Sequence, residues 1–271
     1  MAEPCVESKS RLESHLHTLA GADIEVFQGG GGRPLLFLHG AGGFDPDAPF
    51  VERLCQQFRL IAPRHPGFGR SVLLDWMSTA DDFAYLYLEL LDKLDIKDVV
   101  VVGSSIGGWI AAEMATKSTI RMAALVLVSP VGIKVGPRDR LDIPDIFAME
   151  QAKLERLLYH EPEKWRFDPS SKTDEDLMAI ARGRETLALI AWEPYMHDPK
   201  LKHRLHRIDR PTLLLRGESD GLVSRSYAEA YAALIPGARL EHIARAGHAP
   251  QIERPDVFAE SIGRFVAQRA E

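Results

Sequence analysis

The stretch VVVVGSSIGGW, residues 99–109, runs four valines into a glycine-flanked pair of serines. Consecutive β-branched residues without polar alternation describe a strand covered on both faces. The following Trp109-Ile110-Ala111-Ala112-Glu113-Met114-Ala115 is good helix material. A serine at such a strand-to-helix turn is either a nucleophile or a helix N-cap. Gly-x-Ser-x-Gly fits in one register only. Ser105 has Gly103 and Gly107 two positions either side, whereas Ser104 has Val102 and Ile106. Small residues there let strand and helix approach closely around a strained serine. Ser105 is therefore the candidate nucleophile and Ser104 its bystander. Alone the motif is weak, because this composition yields it by chance about 0.1 times per chain.

The flanking sequence repeats the same alternation. RPLLFLHG (33–40), FRLIAPRHPG (58–67), DVVVVG (98–103), AALVLVSP (123–130), PTLLLRG (211–217) and ARLEHIARAG (238–247) read as strands ending in loops. Helical patterns lie between them at 79–94, 106–117, 224–235 and 255–268. The first is the clearest, with Phe83, Leu86, Leu90 and Leu94 on one stripe and Asp81 and Asp82 in its first turn. This is βαβ arithmetic, which predicts a mostly parallel sheet with helices on both faces. Upstream, ADIEVFQGGGGRPLLFL reads as strand, glycine turn and strand. The run Gly29 to Gly32 lacks the Lys-Ser/Thr and following helix of a phosphate-binding loop, so it is read as a hairpin turn.

From Ile133 to Arg210 the alternation stops. No strand pattern appears, only helical material (DIFAMEQAKLERLLYH, DEDLMAIARGRETLALIAW, DPKLKHRLHRI) and prolines. An interval of that length is too long for a plain connection. It divides the chain into an α/β core, residues 1–132 and 211–271, and a helical cap, residues 133–210. The cap's Phe147, Met149, Trp165, Phe167, Met178, Trp192, Tyr195 and Met196 are expected to form mainly its own small core, with a minority lining a cavity beneath.

Bulk properties narrow the function classes. The 271 residues are 45% hydrophobic and 27% charged, ordinary for a globular enzyme, and the net charge of −6 disfavours a nucleic-acid partner. The two cysteines, Cys5 and Cys55, are expected as reduced thiols. The amino-terminal residues lack the apolar core of a signal peptide, and no stretch approaches the ~20 apolar residues of a membrane span. A cytoplasmic location and a small-molecule substrate are the expectation.

A nucleophilic serine needs a base, and the base needs an acid to hold its tautomer. LLLRGESDGLV ends a strand at Gly217 and puts Asp220 in the next loop, with Glu218 competing from nearer the strand end. IARAGHAPQIERP puts His248 after the following strand. Each candidate lies beyond the carboxyl end of a parallel strand, where open α/β sheets gather their sites. LFLHGAGG turns a strand into a glycine-rich loop at His39-Gly40. There the Ala41 amide, together with the Ile106 amide, is aimed to hold an oxyanion. His39 reads as a structural hydrogen-bonder rather than a second base. His197, His203 and His206 lie in a polar stretch without a cysteine or carboxylate framework, so a solvated face is expected and no metal site.

Taken together, HGAGG, RHPGFGRS, GSSIGGW, GESDGLV and GHAPQIERP resemble the α/β-hydrolase fold superfamily in order and spacing, over about residues 22–268. The resemblance implies an eight-stranded sheet, a cap inserted after strand six, and a Ser105–Asp220–His248 triad. It also implies an oxyanion hole from Ala41 and Ile106, supported by His39, Gly40, Gly103 and Gly107, and no cofactor. Haloalkane dehalogenases and epoxide hydrolases of this superfamily carry aspartate where this chain has Ser105. Its carbon–carbon bond hydrolases commonly show His-Gly-x-Gly-Pro-Gly, and HGAGGFDP lacks that proline. The expectation is a serine hydrolase acting on a small or medium carboxylic ester through an acyl-enzyme. The alternatives are a carbon–carbon bond or thioester hydrolase with the same triad, and a non-catalytic ligand receptor on this fold.

Overall fold

The computed structural model describes residues 12–268. Eight strands form one sheet: β1 (Glu13–Leu19), β2 (Ala22–Gly30), β3 (Pro34–Leu38), β4 (Arg59–Pro63), β5 (Val99–Ser104), β6 (Met122–Val128), β7 (Thr212–Gly217) and β8 (Arg239–Ile243). Their spatial order is β1-β2-β4-β3-β5-β6-β7-β8. β1 pairs antiparallel with β2 and β2 with β4, and every other pairing is parallel. Sheet, helices on both faces and mostly parallel pairing agree with the sequence reading.

The glycine run is not a hairpin. β2 and β3 are separated in the sheet by β4, so residues 31–33 carry the chain across one strand instead of folding it back. The hairpin lies one step earlier, where Ala20 and Gly21 turn β1 into β2 at φ 47° and 86°. β1 itself, ESHLHTL, carries no strand pattern strong enough to read, because four of its first five residues are exposed.

The valine run shows why β5 is central. Val99 and Val101 belong to one apolar cluster, with helices α2 (Ala80–Lys93) and α3 (Ile106–Lys117). Val100 and Val102 belong to the opposite one, with α1 (Pro49–Cys55) and a C-terminal helix at Pro255–Ala267. Successive side chains on a strand point to opposite faces, so two covered faces require an unbroken apolar run. α2 begins in a capping box, the Thr79 hydroxyl and the Asp82 carboxylate each bonding the other residue's amide.

Between β6 and β7 the described chain forms no strand. It contains α4 (Gln151–Leu158), α5 (Asp174–Ala191) and short 3-10 turns, among them Leu201–His203 and Leu205–Arg207. Residues 145–150, expected to open the first of these helices, are not helical. Nor do the aromatic residues build a separate core. Met196, Leu187, Ile190 and Leu205 join the cluster on the α2–α3 face of the sheet, while Trp165, Met178 and Trp192 are exposed.

Two further helices complete the chain: α6 (Arg225–Ala233) and α7 (Pro250–Glu253), the latter just before the C-terminal helix α8 (Pro255–Ala267). Among the described residues no helix is long and apolar enough to cross a membrane. Cys55 is buried at the end of α1; Cys5 lies outside the described residues.

Candidate active site

Ser105 occupies the turn between β5 and α3 with φ 55° and ψ −113°. A non-glycine residue in that region carries about 1–3 kcal/mol of strain, which the surroundings must hold. They do so by backbone bonds: the Ser105 amide donates to Val128 O at 2.8 Å, and Ser105 O accepts from the Trp109 amide at 3.1 Å. The glycine register has a steric cause. A Cβ on Gly103 would meet Gly107 O at 2.2 Å, and one on Gly107 would meet Leu38 O at 2.2 Å. Strand, helix and the neighbouring β3 touch by backbone at those two points.

His248 follows β8 in a loop and is buried. Its Nε2 is 2.9 Å from Ser105 Oγ, and its Nδ1 is 3.0 Å and 3.2 Å from the two Asp220 oxygens. A carboxylate only accepts, so Nδ1 carries the proton and the neutral ring leaves Nε2 free to accept from the serine hydroxyl. Asp220 is buried and also accepts from the Leu222 and Val223 amides at 2.9 Å. Burial alone would push its carboxyl up. The adjacent His248 and the hydrogen bonds outweigh that and hold it below the usual carboxylate value. Glu218, the competing acid, is exposed.

His39 is buried and held on both nitrogens. Nδ1 bonds Gly40 O at 2.7 Å and Nε2 bonds the His65 amide at 2.9 Å. A carbonyl only accepts and an amide only donates, so His39 is fixed as the neutral Nδ1–H form. His65 in turn donates from Nε2 to His39 O at 2.8 Å and accepts on Nδ1 from the Tyr87 hydroxyl. Burial pushes both imidazoles down, His65 to about 4. This pair shapes the loop at Gly40 and Ala41. The loop lies close to the elbow: a Cβ on Gly40 would sit 3.4 Å from the Ser105 Cβ.

Ser105 opens on a cavity of about 420 Å³. Ala41 and Ile106 line it beside Ser105 and His248, as do His39 and Gly40, while Gly103 lies behind the elbow. Core residues Phe37, Phe50, Val131 and Leu222 form part of the wall. The β6–β7 segment supplies Ile143, Ile146, Phe147, Leu154, Leu158, Tyr159, Ile180, Leu187 and Met196. Two charged residues, Asp45 and Arg184, also line it. A wider, open groove of about 600 Å³ lies elsewhere, by Asp81, Tyr85, Lys117 and Arg207. Its Lys117 is already paired with Asp81 and Glu113, and none of the Ser105–His248–Asp220 set faces it.

The sequence reading missed several wall residues. Ser104, set aside as a bystander, lines the cavity and its hydroxyl accepts from Gln251 Nε2 at 3.3 Å. Trp165 and Trp192, expected in the segment's own core or on the cavity beneath it, are 38% and 54% exposed and back the wall from outside. Trp165 stacks on Tyr159 with centroids 6.1 Å apart, and Trp192 packs on Phe147 at 5.3 Å. Periodicity within an irregular insertion gave no means of telling the inner layer from the outer. Among the described residues no group of three His, Cys, Asp or Glu is arranged to hold a metal ion.

A strained serine between a central parallel strand and a helix, joined to Asp220 and His248 from the ends of β7 and β8, defines the α/β-hydrolase class. The chain belongs to the alpha/beta hydrolase family, whose sequence model matches residues 35–261. It is 27% identical to the 2-hydroxymuconate semialdehyde hydrolase of Pseudomonas putida, with 92% of each chain covered. It is 26% identical to the pimeloyl-[acyl-carrier protein] methyl ester esterase of Serratia marcescens, covering 88% of this chain and 96% of that one. Among solved structures, a thermophilic esterase from Thermogutta terrifontis superposes with a TM-score of 0.74 at 25% identity, over 96% of this chain and all of that one. The chain is thus similar to hydrolases of both carbon–carbon bonds and esters.

Proposed function

We propose that the protein is a serine hydrolase that cleaves a carboxylic ester of a small or medium apolar acid through an acyl-enzyme. The observation that carries the reading is the hydrogen-bonded chain from Asp220 through His248 to Ser105, at the floor of a largely apolar cavity. His248 Nε2 takes the Ser105 proton as Oγ attacks the acyl carbon, and Asp220 stabilises the imidazolium that forms. The Ala41 and Ile106 amides face the carbonyl oxygen as it becomes an oxyanion. His248 then returns the proton to the departing alkoxide. Water, deprotonated by the same nitrogen, attacks the acyl-enzyme, and Ser105 leaves with the proton restored.

In this reading residues 133–210 act as a cap over the core formed by 1–132 and 211–271. An apolar roof keeps water from the oxyanion hole and strengthens its hydrogen bonds. Turnover of p-nitrophenyl esters from acetate to decanoate tests it. Hydrolysis that peaks at a short or medium chain and disappears in Ser105→Ala supports the reading, whereas no ester turnover with intact protein overturns it.

One observation favours carbon–carbon bond cleavage by the same residues. Arg184 lines the cavity and, among the described residues, forms no ion pair or hydrogen bond. A guanidinium there suits a substrate with a carboxylate remote from the scissile bond. Loss of the absorbance of 2-hydroxymuconate semialdehyde, faster than any ester turnover, would select this second reading.

A further inference from the structure

We propose that Glu253 is a positioning residue for His248, bolting the loop that carries the base to the end of α4. The proposal rests on reading Ser105 and His248 as nucleophile and base.

Glu253 closes α7, five residues after His248. Its carboxylate accepts from two segments far apart in sequence. Oε2 takes the amide of Gly247, the residue before His248, at 2.5 Å. Oε1 takes the amides of His160 at 2.8 Å and Glu161 at 3.4 Å. Hydrogen bonds to an ionised acceptor are roughly twice as strong as neutral ones, so this link is stiff.

The segment it grips touches both partners of the nucleophile. Leu158 O accepts from the His248 amide at 2.6 Å, and Leu157 O accepts from the Gly221 amide, next to Asp220, at 2.9 Å. His160 Nδ1 lies 2.7 Å from Ser219 Oγ, on the other side of Asp220. The base loop, the acid loop and the end of α4 thus form one hydrogen-bonded unit, and Glu253 supplies its charged acceptor. Without it the Gly247 peptide is released, and with it the backbone from which the imidazole reaches Ser105. A serine–imidazole bond of 2.9 Å leaves little room for such a shift, since misplacement by about 1 Å can cost about 100-fold in rate.

Glu253→Gln keeps the side-chain volume but sets an N–H against one of the backbone N–H groups. The test measures p-nitrophenyl butyrate hydrolysis and the rate of fluorophosphonate labelling of Ser105 in four proteins: wild type, Glu253→Gln, His248→Asn and the double variant. Glu253→Gln is expected to lower kcat and labelling about 10- to 100-fold with KM little changed. In the His248→Asn background it is expected to add nothing, because Glu253 acts through His248. Equal losses in both backgrounds, or no loss in the single variant, overturn the proposal. If His248→Asn labels as fast as wild type, the assignment of the base fails first and the proposal with it. Should Glu253→Gln not fold, Glu253→Asp, which keeps the charge on a shorter arm, is scored by the same comparison.

Discussion

His248 Nδ1 lies 3.0 Å from Asp220 Oδ2, while Glu218, two residues nearer the end of β7, is exposed. The strand end alone favours neither carboxylate. What places Asp220 is the turn after Gly217, in which its carboxylate also collects the Leu222 and Val223 amides. Asp220→Asn is expected to reduce kcat by about 10³-fold or more, since an amide cannot impose the Nδ1–H tautomer. Glu218→Gln is expected to stay within about 2-fold, because its exposed side chain is not bonded to His248 and exposed substitutions outside such contacts usually cost little. Steady-state kinetics on the best ester checks both.

Substitution at the elbow glycines should disturb the fold before it disturbs the chemistry. The Cβ of Gly107→Ala would meet the Leu38 carbonyl at 2.2 Å, and backbone cannot yield as a side chain does. A destabilisation of about 3 kcal/mol or more is expected, read as a lowered denaturation midpoint. Ser104→Ala gives up a single long hydrogen bond to Gln251 and is expected to cost about 1 kcal/mol.

Stability should fall on mild acidification because of His39 and His65. Both rings are neutral in the fold, and burial pushes His65 down to about 4. In the unfolded chain they accept a proton near ~6.5. Above that pH neither state is protonated and the rings contribute no pH dependence. Below it the unfolded state binds protons that the folded state excludes, so stability drops as pH falls from ~6.5 toward 4. For His65 the full loss is about 3 kcal/mol, levelling off once the folded ring also titrates. Denaturant melts between pH 7 and 4 check this, and His65→Gln should flatten the slope.

Specificity should reside in the inner layer of the β6–β7 segment. Phe147→Ala and Leu187→Ala enlarge the cavity and are expected to shift the preferred acyl chain toward longer lengths. Trp192→Ala, outside the wall, should leave the preference unchanged and act mainly on stability. Relative kcat/KM across the ester series separates the two.

Legibility followed the strength of local constraint. The valine run of β5 declared a doubly covered strand, and Gly103 and Gly107 declared the register of Ser105, because backbone contact at both points tolerates no other residue. The order of Ser105, Asp220 and His248 followed from the ends of three parallel strands. β1 was missed because an edge strand with an exposed face carries no hydrophobic pattern. The glycine run at 29–32 was misread because a turn signal does not say which strand the chain joins next. The inner wall of the cavity was unreadable because Phe147 and Trp192 differ in position, not in kind. Glu253 was missed for a similar reason: its three bonds run to backbone amides, which leave no mark in sequence.

The most direct measurement is the site of covalent capture. After reaction with a fluorophosphonate probe, intact mass and peptide mapping should show one adduct, on Ser105. It should be retained in Ser104→Ala and absent in Ser105→Ala, with ester turnover lost in step. An adduct on Ser104, or turnover that persists in a folded Ser105→Ala protein, would contradict the assignment of Ser105 as the nucleophile.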